Sequence, residues 1–86
     1  MPRRRTRSPE GSRFGETLRR LRKDRELSQE ALAEKADVTA DYLGFIERGE
    51  NVPTLTVLLK LARALGVDAS ELLAEFTLPT LKRMKF

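Results

Sequence analysis

The sequence predicts an all-α fold, a compact bundle of five short helices with a helix-turn-helix inside it. Three observations carry that prediction. Apolar residues recur at three- and four-residue spacing in one stretch after another, most stretches open on a residue suited to capping a helix, and glycines stand where helices should end.

Residues 1–12 carry Arg3, Arg4, Arg5 and Arg7 among Pro2, Ser8, Pro9, Gly11 and Ser12, with Met1 the only large apolar residue. So little apolar surface cannot offset the entropy of ordering, and the segment reads as a flexible basic arm. Such arms neutralise phosphates or enter a DNA minor groove; an inert leader is the plain alternative. The first helix is expected over residues 13–25. Phe14, Thr17, Leu18 and Leu21 form its buried stripe, and Arg19, Arg20, Lys23 and Arg25 lie mostly elsewhere, as a solvated face or a phosphate-binding one. Gly15 inside that helix costs about 1 kcal/mol against Ala, which implies close approach by another backbone.

The helix-turn-helix spans residues 28–49. Ser28 and Thr39 each offer a hydroxyl to an unpaired N–H at a helix start. Leu27 with Leu32, and Val38 with Leu43, form hydrophobic staples around those caps. Ala36-Asp37-Val38 leaves a turn short enough to force a sharp change of direction, and Ala33 and Ala36 allow a close crossing. Gly49 supplies a left-handed residue at the end of the second of these helices.

After a loop at 50–53, Thr54 caps a helix reaching about residue 65, with Val57, Leu58, Leu61, Ala62 and Leu65 as its stripe and Gly66 as its stop. Asp68 then caps a fifth helix over 69–76, Glu71 completes a capping box, and Val67 staples to Leu72. Residues 77–86 mix Leu78, Leu81, Met84 and Phe86 with Lys82, Arg83 and Lys85. Pro79 argues against continuing the fifth helix, so this segment reads as a C-terminal docking arm, a dimer contact or a frayed tail. The expected division is therefore 1–12 arm, 13–76 domain and 77–86 C-terminal arm.

Composition narrows the function. Eighty-six residues make one small domain, and the absence of Cys and His removes thiolate chemistry, disulfides, and the commonest general base and metal ligand. No phosphate-cradling glycine loop, metal cluster or nucleophile–base pair is present, so no catalytic residue, cofactor, metal or small-molecule ligand is expected and the chain is not read as an enzyme. No apolar run suits a membrane span or signal peptide, which makes the cytoplasm the default. The net charge of +4 is unevenly spread: residues 1–25 hold ten Arg or Lys against three acids, 26–75 hold four against ten, and 76–86 hold three bases and no acid. Basic ends suit an acidic partner such as nucleic acid, with a solubilising tail as the alternative.

From residue 14 to 73 the chain resembles the Cro/C1-type helix-turn-helix domains of the Xre family. The resemblance rests on Leu18-Arg19-Arg20-Leu21-Arg22, Leu27-Ser28-Gln29-Glu30-Ala31-Leu32-Ala33, Ile46-Glu47-Arg48-Gly49 with Pro53 following, and Leu61-Ala62-Arg63-Ala64-Leu65-Gly66-Val67. It implies the lambda-repressor-like five-helix fold, with the third helix, residues 40–48, in the DNA major groove. By position it implies that Ala40, Asp41, Gly44 and Phe45 face base edges and that Tyr42 lies near the sugar–phosphate backbone. Thr39, at the start of that helix, is a further candidate DNA contact, and the resemblance assigns phosphate contacts to Gln29, Asn51 and Thr54. Gln29 also braces the third helix, and Arg22 with Glu47 makes a structural ion pair. Phosphate attraction would come mainly from Arg19, Arg20, Lys23, Arg48 and the arm, that is Arg3, Arg4, Arg5 and Arg7.

This chain departs from many relatives in lacking a strong guanine reader on the third helix. Asp41 suits cytosine N4, and Ala40 or Phe45 a thymine methyl. Asp41 equally suits the helix dipole, and Phe45 equally suits a core or a dimer contact. The resulting expectation is a sequence-specific transcriptional regulator that binds double-stranded DNA as a homodimer through the fifth helix and C-terminal arm, and that occludes or recruits RNA polymerase. The alternative is an antitoxin-like or adaptor module that binds a protein through the acidic face and Tyr42/Phe45.

Overall fold

The computed structural model describes residues 6–86. Six helices follow in order: α1 Pro9–Asp24, α2 Gln29–Ala36, α3 Ala40–Glu47, α4 Leu55–Leu65, α5 Ala69–Leu72 and α6 Leu78–Arg83, with no strand among the described residues. The helix packing has α1 against α3 and α5, α2 against α3 and α4, and α4 against α5. Leu18, Leu32, Leu43, Ile46, Leu61 and Leu72 are fully buried where these elements meet. Burying one such side chain contributes about 1.5–3 kcal/mol, so this cluster dominates the favourable side of folding.

The caps form at the expected hydroxyls. Ser28 accepts from the Ala31 N–H, Thr39 from Tyr42 and Thr54 from Val57. Leu27, Val38 and Val67 pack against the core at the helix entrances. Asp68 is different: it stands at the N-cap position but makes no side-chain cap bond, so the expected capping box is not formed, and the Glu71 N–H bonds instead to the Asp68 carbonyl at 2.9 Å.

The helix ends share one device. The residues just past α1, α2, α3 and α4, namely Glu26, Asp37, Gly49 and Gly66, all have positive φ. Behind each, a paired set of backbone bonds closes the last turn, such as Gly49 N–H to Ile46 O at 3.0 Å and Glu50 N–H to Phe45 O at 2.9 Å. Gly49 adopts this conformation without steric cost, whereas Glu26 at φ 55° carries a Cβ into it.

Three boundaries differ from expectation. First, α1 starts at Pro9, not residue 13, because Ser8 accepts from the Gly11 N–H at 3.0 Å and Pro9 brings a φ already suited to a first turn. Residues 9–12 therefore belong to the bundle and not to the arm. Second, α5 ends at Leu72: Phe76 packs onto the core, and Leu73 N–H to Ser70 O and Phe76 N–H to Leu73 O draw the chain into turns. Third, the C-terminal segment contains a sixth helix. Thr77 caps it by accepting from the Thr80 N–H, and Pro79 sits in its first turn, where proline starts a helix and does not break it.

The glycine in α1 has the expected cause. A Cβ at Gly15 would lie 2.5 Å from the carbonyl oxygens of both Ile46 and Glu47, all backbone atoms that cannot move aside. Gly15→Ala is expected to cost about 1–3 kcal/mol by overpacking, read as a lower urea midpoint. In the opposite direction, Glu26→Gly at an exposed left-handed position should raise stability by about 0.5–1 kcal/mol, seen as a higher midpoint with an unchanged slope.

Candidate nucleic-acid interface

The centre of the site is a buried carboxylate. Glu47, in the last turn of α3, receives Arg22 of α1 through two parallel bonds, Nε to Oε2 at 2.6 Å and Nη2 to Oε1 at 3.0 Å. Gln29, the first residue of α2, donates Nε2 to the same Oε1 at 3.0 Å. The third guanidinium nitrogen of Arg22 donates to the Leu27 carbonyl at 2.8 Å, so the link between α1 and α2 is also held. A buried pair of this kind holds its place because the bidentate geometry and added hydrogen bonds offset the cost of desolvating two charges.

This network fixes α3, and the side chains around it divide by exposure. Thr39 and Asp41 are exposed at the amino end of α3. Ala40 and Tyr42 are half-buried and pack against the core. Phe45 is half-buried, with the Arg48 guanidinium 5.1 Å from its ring centroid, a cation–π distance. Gly44, expected at base edges, is instead buried: a Cβ there would meet Arg48 Nη1 at 3.1 Å and Gln29 Oε1 at 3.8 Å. The crossing of α2 over α3 and the return of Arg48 along the helix cover it. Arg48 itself is exposed and pairs with Glu50, Nε to Oε1 3.3 Å. Asn51 is half-buried in the following loop, and Thr54 is exposed, its hydroxyl occupied in capping α4.

Tertiary structure gathers basic residues from distant parts of the sequence. Arg7, Arg19 and Arg48 line one depression together with Ser12, Glu16 and Glu47. Arg19 and Arg48 also line its neighbour, with Arg22, Gln29 and Glu47. On the other side of Arg19, Arg20 and Lys23 border a third depression along α1 with Glu16 and Asp24. Arg19 thus joins a basic strip along α1 to the end of α3. Arg3, Arg4 and Arg5 lie outside the described residues.

One basic residue has a role its position in the α1 pattern did not suggest. Arg25 donates Nε to the Leu65 carbonyl at 2.7 Å and Nη1 to Leu21 at 3.3 Å, tying the end of α1 to the end of α4. A cation at two helix carboxyl ends is favoured by their dipoles. Nothing local separates Arg25 from Arg20 or Lys23 in sequence, since the partner carbonyl is forty residues away. Among the described residues, no group of His, Cys, Asp or Glu is arranged to hold a metal ion, and no helix is long and apolar enough to cross a membrane.

Removing the Glu47 carboxylate would strand the Arg22 charge and leave the Gln29 amide without its acceptor. Glu47→Ala is therefore expected to destabilise the fold by about 3–5 kcal/mol, measured by urea unfolding. An unchanged midpoint would show that the network does not hold the helices.

Comparison with known proteins places this geometry. The helix-turn-helix family HTH_3 matches residues 18–72. The immunity repressor protein of Bacillus phage phi105 is 42% identical over 64 residues, covering 74% of this chain and 44% of its own length. The control protein C.MunI of a Mycoplasma species is 39% identical over 64 residues, 73% of this chain and 86% of that one. Among solved structures, the restriction-modification controller protein C.AhdI from Aeromonas hydrophila superposes with a TM-score of 0.72 at 41% identity, covering 73% of this chain and 96% of that one. The chain thus spans less than half of the phage repressor but most of the smaller controllers.

Proposed function

The chain belongs to the Cro/C1-type helix-turn-helix family HTH_3 and is a DNA-binding transcriptional regulator; from that premise we propose that it acts as a homodimer on a two-fold-related operator. The observation that supports the DNA contact in this reading is the convergence of Arg7, Arg19 and Arg48, from three separate segments, beside one end of α3. Three guanidinium groups around a braced helix form an anionic-backbone clamp, and phosphate contacts of that kind set register on the duplex.

In this reading α3 enters the major groove by its amino end, where Thr39, Ala40, Asp41 and Tyr42 lie, with Phe45 one turn further on. Gln29 spends one amide hydrogen on Glu47 and keeps a second for a phosphate oxygen. Lys23, Asn51 and Thr54 add flanking phosphate contacts. The arm arginines Arg3, Arg4 and Arg5 precede Arg7 and extend the clamp to neighbouring phosphates or the minor groove. Specificity then rests on few groups: Asp41 as an acceptor for cytosine, and Ala40 and Phe45 as apolar surface for thymine methyls.

Self-association is supported by an apolar face opposite in character to this basic one. Val52, Leu55, Leu59 and Leu73 all stand exposed on and beside α4 and α5, Leu55 by as much as 70%. A second copy applied to that face in two-fold fashion places two α3 helices on one side of the duplex, with half-sites about one helical turn apart. Bound there, the dimer controls the access of RNA polymerase.

Selection of bound sequences from a random duplex pool should return a pseudo-palindrome, and affinity for it should fall by orders of magnitude as salt rises. Arg48→Ala should weaken binding to all sequences similarly and lower the slope of log affinity against log salt by about 1. A pool that yields no preferred sequence, together with salt-insensitive capture of a protein partner, would overturn the reading in favour of a protein-interaction module.

A further inference from the structure

Next to the exposed apolar face is a depression of about 220 Å³, walled by Phe14, Val52, Leu73 and Phe76 among others, with Glu10 in its lining. Glu10 is half-buried at the start of α1, and its Oε1 is shielded from solvent without a hydrogen-bond partner. A buried carboxylate oxygen without a donor is costly, and native proteins rarely leave one so. The C-terminal tail has the complementary chemistry. Lys82, Arg83 and Lys85 make no ion pair with any acid among the described residues, and they alternate with Leu81, Met84 and Phe86.

We propose that this pocket receives the C-terminal tail of a second copy of the chain, with Phe86 against the apolar walls and the Lys85 ammonium on the Glu10 carboxylate, reciprocally in both copies. The proposal rests on the homodimer reading above and names the segment that completes that interface. Two observations favour exchange over an internal contact. Phe86 already borders its own pocket, yet it remains 81% exposed and leaves Glu10 unpaired. No other helix packs extensively against α6, whose Leu78 is 64% exposed. The pocket also shares Val52 and Leu73 with the apolar face, so a tail leaving one protomer at that face meets the other protomer's pocket. Exchange of an identical segment across a two-fold axis makes the same contact twice.

Sedimentation equilibrium on the full chain tests this. Glu10→Lys and Lys85→Glu should each raise the dimer dissociation constant about a hundredfold, about tenfold for each of the two close interfacial charge pairs that the variant dimer loses. Mixing the two variants in equal amounts should restore wild-type association, because each pocket then faces a tail of opposite charge on the other chain. An internal contact would leave like charges facing within each chain, and mixing would restore nothing. Circular dichroism melts check folding, and if Glu10→Lys does not fold, a double-mutant cycle with Glu10→Gln and Lys85→Gln should show the same coupling. Single variants that associate as tightly as wild type, or a mixture without rescue, would overturn tail exchange while leaving the homodimer intact. A wild-type chain that stays monomeric at concentrations saturating its DNA would overturn both.

Discussion

Three helices of this protein meet at one carboxylate. Glu47 accepts two bonds from Arg22 and one from Gln29, and Arg22 uses its remaining guanidinium nitrogen on the Leu27 carbonyl, so α1, α2, α3 and the α1–α2 connection are all referred to the same point. Burying two charges is expensive, and an apolar trio of similar volume would hold the helices together as well or better. What the apolar trio would lack is direction. A bidentate pair accepts only a narrow range of angles, and that range fixes how α3 sits on the bundle.

The backbone contact between α1 and α3 works on the same geometry from the other side. Gly15 lets α1 approach the last carbonyls of α3, and Gly11 meets Gly49 just beyond them. The Ser8 N–H reaches the Gly49 carbonyl at 3.4 Å, so the start of α1 is fixed beside the end of α3. Arg7 precedes that point by one residue. The charge asymmetry of the sequence, basic at the ends and acidic in the middle, is thereby turned into a local basic surface, because Arg7 and Arg19 are carried to Arg48. Of the acidic residues of the middle segment, Glu47 is consumed internally by Arg22 and Gln29, and Glu50 offsets part of the charge of Arg48 by pairing with it.

Much of the fold was legible because helix grammar is local. Ser28, Thr39 and Thr54 act within three residues of themselves, and the apolar stripes of α1 and α4 need only the helical period to be read. The misreadings came where one local signal competed with another. Ser8-Pro9 is itself a helix start, but the arginines around it suggested an unanchored arm, and only the meeting with Gly49 shows what anchors it. The fifth helix indeed does not continue through Pro79, but the Thr77 cap two residues earlier makes that proline the first-turn residue of a new helix, which was not foreseen. Asp68 has the sequence of a cap without the bond, since α5 has only four residues and its entrance is held by Val67 and Leu72 packing.

The sequence by itself determined which segments become helices, where most of them begin, and that a sharply turned pair lies among them, for each of these depends on contacts within a turn or two of chain. It also supplied the charges. Only the tertiary structure decided which charges act together: that Arg25 serves two helix ends while Arg19 stays exposed, that Gly44 is buried beneath Arg48, and that Arg7 stands with Arg48. Those outcomes depend on the angles at which helices cross. The angles follow from long-range atoms such as the Glu47 carboxylate and the Ile46 carbonyl, which no local pattern of residues records.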